Sequence, residues 1–365
     1  MTDMSEDEAL FWLGTAPGIG AVKAGRLIGK VKDAVSLYHL TRDELTGLSI
    51  LKEKDVDVLL AEERRERAKK AYEHLAGRGI RYISRYSREY PKRLTHIGQA
   101  PLQLYVKGRM PDASGLSVAI VGARECTCYG RDMARMFAFR LARAGVQIVS
   151  GMARGVDGWA HQGALEAGGA TFAVLGCGVD VCYPQKHAGL YRSIVRHGGV
   201  ISEYRPGVRA RPAFFPQRNR IISGLSDGVL IVEAERRSGS LITVDSALEQ
   251  GRDVFVIPGR IGDALSEGCN RLIVQGATPV LSPDDILDYY GMTGEGEDDA
   301  GKKDDWELGA LEERIYVRLK RAAAYTDVLC GELGESATDV MKAVLKLRKK
   351  GKVREVSRGY FEVSG

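Results

Sequence analysis

Ser117-Val-Ala-Ile-Val-Gly-Ala-Arg124 and Val146-Gln-Ile-Val-Ser-Gly-Met-Ala-Arg-Gly-Val-Asp157 each run from a short apolar, β-branched stretch into a turn of glycine and arginine. Stretches that are apolar on both faces read as buried parallel strands. Between them, residues 129–144 place Met133, Phe137 and Leu141 at helical spacing, so a helix covers the sheet between one strand and the next. Residues 171–175, 199–201, 228–232 and 254–257 repeat the apolar pattern. The alternation predicts a doubly wound (extended Rossmann) α/β domain over residues 82–290.

Phe215-Pro-Gln-Arg-Asn-Arg-Ile-Ile-Ser-Gly-Leu-Ser226 sets two arginines and an asparagine at the start of an apolar helix. With the two strand-end turns it makes three places where glycine or arginine meets a helix N-terminus. Free N–H groups and the positive dipole end favour phosphate there. Several such sites on one sheet edge suggest a polyanion.

At 365 residues and 39.8 kDa the chain is long enough for two or three domains. A net charge of +5 permits nucleic-acid binding without requiring it. No apolar run approaches the ~20 residues of a membrane span. The acidic start, Met-Thr-Asp-Met-Ser-Glu-Asp-Glu, lacks the basic flank of a signal peptide, and a cytoplasmic protein is expected. The six cysteines form no C-x-x-C pair and read as reduced thiols, although Cys126, Cys128, Cys177 and Cys182 near His187 leave a metal or redox site conceivable.

Residues 1–81 read as a small helical domain, in which Pro17-Gly18-Ile19-Gly20 has the form of a helix-hairpin-helix turn or of a plain tight turn. Residues 291–305, rich in Gly, Asp and Glu, have almost nothing to bury and are expected to be a flexible linker. Residues 306–365 outline a winged helix, with three helical patterns followed by a chain reversal around Ser357-Arg358-Gly359. Its basic run (Lys346, Arg348, Lys349, Lys350, Lys352, Arg354) suits DNA contact, protein contact or a solvated face.

The turn after the first strand lacks G-x-G-x-x-G, and no G-x-x-x-x-G-K-[ST] loop is present, which argues against dinucleotide binding and ATP hydrolysis. A rival is a nucleotide-cleaving enzyme similar to the phosphoribohydrolases, whose motif is P-G-G-x-G-T-x-x-E. Here the comparable turn is Arg236-Arg-Ser-Gly-Ser-Leu-Ile-Thr243, with Thr243 where that family has its carboxylate. Loss of the acid removes the group that glycosidic cleavage needs, unless Glu233 or Asp245 substitutes.

These phrases together resemble the DNA-processing protein A (DprA/Smf) family over residues 82–277. The matches include Tyr90-Pro91, Val121-Gly-Ala-Arg124, Ser150-Gly-Met-Ala-Arg-Gly-Val-Asp157 with His161, and Gly176-Cys-Gly-Val-Asp180 with Tyr183-Pro184. They continue through Ser202-Glu203, Arg218-Asn-Arg220, Ser238-Gly-Ser-Leu-Ile-Thr243, Pro258-Gly259 and Gly268-Cys-Asn270.

The resemblance implies a non-enzymatic, cofactor-free binder of single-stranded DNA that acts as a homodimer in natural transformation. It would displace single-strand binding protein and load the RecA recombinase. Leu272 and Ile273 fall in the family's approximate interface region.

By the same resemblance Arg124, Arg154, Arg218 and Arg220 line a basic pocket, facing solvent, with Gly122, Gly151, Gly155 and Gly239 letting backbone close on phosphates. Phe215, Asn219, Ser238, Ser240 and Thr243 complete the expected contacts. Lys186 stands one position off the family's usual cation, in Gln185-Lys186-His187.

Each residue has a plainer reading too. An arginine can pair internally with Asp157, Glu203 or Glu233; the serines and Thr243 can cap the following helix; Phe214 or Phe215 can pack in the core; and His161 can make a structural hydrogen bond. A winged-helix regulator of duplex DNA stays open as a third class, requiring a recognition helix in residues 336–350.

Overall fold

The computed structural model describes residues 4–292, 308–357 and 359–363. Most of the expected linker, residues 293–305, lies outside the described residues. Residues 4–292 belong to one compact unit and residues 308–363 to a second.

The first unit is built on a nine-stranded sheet: β1 (Arg81–Ser84), β2 (Gln103–Gly108), β3 (Ser117–Val121), β4 (Gln147–Ser150), β5 (Thr171–Val174), β6 (Gly199–Ser202), β7 (Gly228–Ile231), β8 (Asp253–Val256) and β9 (Thr278–Pro279). Their spatial order is β1-β2-β6-β5-β4-β3-β7-β8-β9. From β6 to β9 all neighbours are parallel, while β2 joins β6, and β1 joins β2, antiparallel. The chain lays down β4, β5 and β6 on one side of β3, then crosses to place β7 on its other side. That reversal opens a crevice beyond the strand C-termini.

The six expected apolar runs form the six parallel strands β3 to β8, and β3 to β7 are buried along their whole length. The expected first covering helix spans Cys128–Arg143 and buries Ala134, Phe137, Ala138 and Leu141, one stripe at helical spacing. Thr127 caps it, its Oγ1 accepting from Gly130 N at 3.1 Å.

Six helices lie between Glu6 and Gly77. They do not close on a core of their own. Phe11 from the first of them meets Tyr72, Tyr82 of β1 and Tyr105 of β2 edge-on, with ring centroids 5.5, 5.5 and 6.2 Å away. Its apolar cluster continues into Ala173 and Val200 of the sheet. The expected separate domain at 1–81 is therefore a helical layer of the same unit. Phe11 helps to cover the buried Tyr105 and the partly buried Tyr82, and edge-to-face aromatic pairs add ~0.5–1.5 kcal/mol each beyond area burial.

In the second unit, helices Ala310–Arg321, Thr326–Leu333 and Ala337–Lys349 pack with a small antiparallel sheet of β10 (Ala324–Tyr325), β11 (Val353–Ser357) and β12 (Tyr360–Val363), in the order β10-β12-β11. Ile315, Leu319, Leu329, Val340, Val344 and Phe361 form its core. Much of its basic run is engaged internally. Lys346 and Lys350 reach Glu312 at 3.5 and 3.0 Å, and Arg348 and Arg354 pair with Glu355 and Glu362.

Candidate nucleic-acid interface

A concavity of about 620 Å³ opens at the strand C-termini where the chain crosses from β6 to β7. Gly122 and Arg124 enter it from the turn after β3, Ser238, Gly239 and Ser240 from the turn after β7, and Thr243 from the helix that follows that turn. Helix Phe214–Gly224 supplies Phe215, Arg218, Asn219 and Ile222. That spacing is one helical face. A smaller adjoining hollow adds Gly151 and Arg154, and Arg124, Phe215 and Arg218 line both.

Arg124 is exposed and makes no ion pair among the described residues. Its guanidinium lies 5.3 Å from the centre of the Phe215 ring. Cation–π contact orients the side chain without neutralising it.

Arg218 is only 4% exposed, and its guanidinium sits between the two hollows, 6.0 Å from the same ring. Its Nε is buried with no hydrogen-bond partner. The nearby Asp157 carboxyl accepts from Gly151 N and Ala153 N at 3.2 and 3.3 Å. Burial pushes the Asp157 carboxyl up, while Arg218 and the two N–H groups hold it down. Arg218 is therefore both a structural cation and the floor of the site, not the solvent-facing side chain expected.

Arg220 departs further from expectation. It pairs with Glu203 and lines a separate concavity together with Lys23, Arg26 and Arg85. Two residues along a helix turn the side chain by about 200°, so Arg218 and Arg220 point to different sides. Burial pushes the Glu203 carboxyl up and Arg220 opposes it, which is the internal pairing left open from sequence.

The remaining expected residues divide by role. Asn219 Nδ2 donates to Gly239 O at 3.3 Å, tying the helix to the turn. Ser238 and Ser240 join their hydroxyls at 2.8 Å, and Ser240 makes no side-chain cap bond. Thr243 is buried in the first turn of helix Leu241–Glu249. Arg154 is exposed and reaches Glu125 at 3.2 Å. Lys186 is exposed on a short 3-10 turn and lines neither hollow.

Close packing, rather than a ligand, fixes three of the four glycines. A Cβ at Gly151 would lie 1.5 Å from Arg218 Nη1, and one at Gly155, where φ is 73°, 2.2 Å from Ala123 O. Gly122 abuts Val156, and only Gly239 has open space around it. These glycines let turns close on each other.

Phe214 stacks on Tyr204 at 4.2 Å, while Phe215 lies 5.6 Å from the half-exposed Tyr183. Glu233 is 4% exposed and accepts from Thr127 N and Oγ1, so it serves as a helix-cap anchor. Asp245 is exposed and does not line the hollow. His161 is buried with Nδ1 2.7 Å from Thr171 Oγ1. Among the described residues no cluster of His, Cys, Asp and Glu is arranged to hold a metal, and all six cysteines are free. No helix there is long and apolar enough to cross a membrane.

An open, mostly parallel sheet with arginine-bearing turns at its switch point defines a Rossmann-type α/β protein with a crevice beyond its strand C-termini. Comparison with known proteins narrows the class. A family model described as DNA recombination-mediator protein A matches residues 81–291. Protein Smf of Escherichia coli is 38% identical over 280 residues, covering 75% of each chain. DNA processing protein DprA of Streptococcus pneumoniae is 46% identical over 198 residues, 54% of this chain and 70% of that one.

Among solved structures, the X-ray structure of Streptococcus pneumoniae DprA superposes with a TM-score of 0.67 at 33% identity, covering 81% of this chain and all of that one. DprA of Helicobacter pylori, whose structure is described as giving insight into its single-stranded DNA binding mode, gives 0.53 at 30%, covering 59% and 98%. The chain belongs to the DprA/Smf family of DNA recombination mediators.

Proposed function

We propose that this protein is a non-enzymatic mediator that binds single-stranded DNA in the strand-end crevice. The observation that carries the reading is Arg124: an exposed guanidinium with no carboxylate partner among the described residues, held on the Phe215 ring beside the unpartnered Nε of Arg218. Two guanidiniums suit phosphate oxygens, and Tyr183 and Phe215 offer faces on which bases can stack. Phosphate and stacking contacts carry no base identity, so binding through them is sequence-tolerant and favours a flexible strand over a duplex.

The nucleotide-cleaving alternative loses support. Of the carboxylates at the crevice, Asp157 is engaged by two N–H groups and Glu125 by Arg154. Glu235 remains at the rim. The duplex-regulator alternative is weakened by the engagement of Lys346 on the third helix of the second unit with Glu312. Three helices and an antiparallel hairpin support reading that unit as a winged helix suited to protein contact.

By family, the mediator displaces single-strand binding protein, loads RecA in natural transformation and works in the cytoplasm as a homodimer. Leu272 and Ile273 are half-buried against the core, whereas their neighbour Val274 is 88% exposed. A dimer contact through this region would use Val274 together with the half-exposed edges of Leu272 and Ile273. Pairing two crevices would raise avidity on one continuous strand.

The test is a fluorescence-anisotropy titration of the full chain with single-stranded and duplex oligonucleotides across salt. Tighter, steeply salt-dependent binding of the single strand is expected. A preference for duplex, or indifference to salt, removes the proposal.

A further inference from the structure

Another concavity, of about 690 Å³, lies between helix Glu62–Gly77 and the loop that follows β6. Six arginines line it, Arg64, Arg67 and Arg78 on one side and Arg205, Arg209 and Arg211 on the other, and no carboxylate does. Glu63 engages Arg67 and Asp180 engages Arg78. Among the described residues no carboxylate reaches the other four. Arg64 Nε is buried without a hydrogen-bond partner, and burial together with Arg205 makes the Arg64 charge harder to hold. Guanidiniums gathered this way repel one another, and an anion between them relieves that repulsion.

The two concavities adjoin along the chain. Arg211 lines one and the next residue, Pro212, lines the other. The Arg211 guanidinium lies 5.8 Å from the ring of Phe214, whose neighbour Phe215 floors the strand-end crevice.

We propose that the arginine groove is a second phosphate track, which holds the phosphodiester backbone of the same single strand where it leaves the strand-end crevice. The inference rests on the single-strand reading given above. Besides its arginines the groove is lined by small and aliphatic groups such as Ala68, Ala71 and Val208, with no exposed ring for stacking. It therefore grips backbone charge alone and adds affinity without sequence preference.

The test uses the full chain with Arg205→Gln and Arg209→Gln combined, two exposed positions outside the core. A second double variant, Lys69→Gln with Lys70→Gln, removes the same charge from helix Glu62–Gly77, which bears the opposite wall, at positions outside the groove. Oligothymidylates from roughly 4 to about 30 nucleotides are titrated by anisotropy across salt, a span that brackets single-strand site sizes.

The arginine variant should match the lysine variant on the shortest strands. On the longest it should bind about tenfold more weakly, with a salt slope flatter by ~1.4 for two lost phosphate contacts. Equal behaviour of the two variants at every length overturns the track, as does a loss confined to duplex DNA. Arg124→Ala in the same series separates the two proposals: if it binds every length like the wild type, the crevice reading fails whatever the groove does.

Discussion

The guanidinium of Arg218 occupies the space that a side chain on Gly151 would need: a Cβ there would fall 1.5 Å from Nη1. One residue after β4 and one on helix Phe214–Gly224 thereby share a single packing site, with Asp157 as their common electrostatic partner. Gly151→Ala should displace the guanidinium, cost about 1–3 kcal/mol of stability through overpacking, and weaken single-strand binding at least tenfold. Denaturant titration and anisotropy on one preparation check both. Wild-type stability with wild-type affinity would show that Arg218 has room to move.

Arg124 behaves differently because it is exposed and pairs with no carboxylate among the described residues. Arg124→Ala should weaken single-strand binding by ~1–3 kcal/mol and flatten the salt slope by roughly 0.7, with the melting temperature nearly unchanged. An early melt with intact affinity would instead make it structural.

Arg220→Ala should be a stability variant. It leaves the Glu203 carboxylate half-buried and unpaired, at a cost of about 2–4 kcal/mol. The deficit should narrow as pH falls, because protonating Glu203 relieves the stranded charge. Urea midpoints at neutral and mildly acidic pH measure this, and a deficit independent of pH speaks against the pair.

His161 gives the unit an acid-sensitive element. Burial, aided by His187 and Arg218, holds its imidazole down to about 3, so the folded state keeps it neutral. The unfolded chain protonates near the ordinary value of ~6.5 and binds more protons below it. Stability is fully present above that value and lost as pH falls toward 3, by about 2 kcal/mol between pH 7 and pH 5. The loss should shrink in His161→Gln; a pH profile unchanged by that substitution refutes the assignment.

Incubation with nucleoside monophosphates or ATP should release base or phosphate only at background rate. Turnover abolished by Glu233→Gln, Asp245→Asn or Glu235→Gln would move the protein into the enzyme class.

The parallel sheet was legible because its strands are β-branched and apolar on both faces, a pattern few other environments tolerate. Strand β1 was not: Arg81-Tyr-Ile-Ser84 is short, half polar and flanked by arginines, and it forms by pairing with β2 rather than by its own pattern. The front helices read as a separate domain because helical periodicity is local. The partners of Phe11 lie at positions 72, 82 and 105, too far along the chain for a window to connect.

At the crevice, Arg124 and Arg218 were readable as a pair. Helical spacing already separated Arg218 from Arg220, and applying it would have removed Arg220 from the site. Burial of Arg218 depends on Gly151 and Asp157 arriving from another strand, which no local pattern encodes. The loop residues Arg205, Arg209 and Arg211 gain meaning only opposite Arg64.

The family match begins at residue 81, on the very strand whose Tyr82 is sealed by Phe11. What is inherited as a recognisable module and what stands as a physical one are thus cut at different places. A chimera exchanging front helices between relatives must carry the ring-bearing faces of β1 and β2 with them, or it will strand tyrosines at an uncovered sheet edge. Drift in the front segment is bounded in the same way: its surface is free to diverge, but its Phe11 answers to aromatic partners encoded some 60 to 95 residues later.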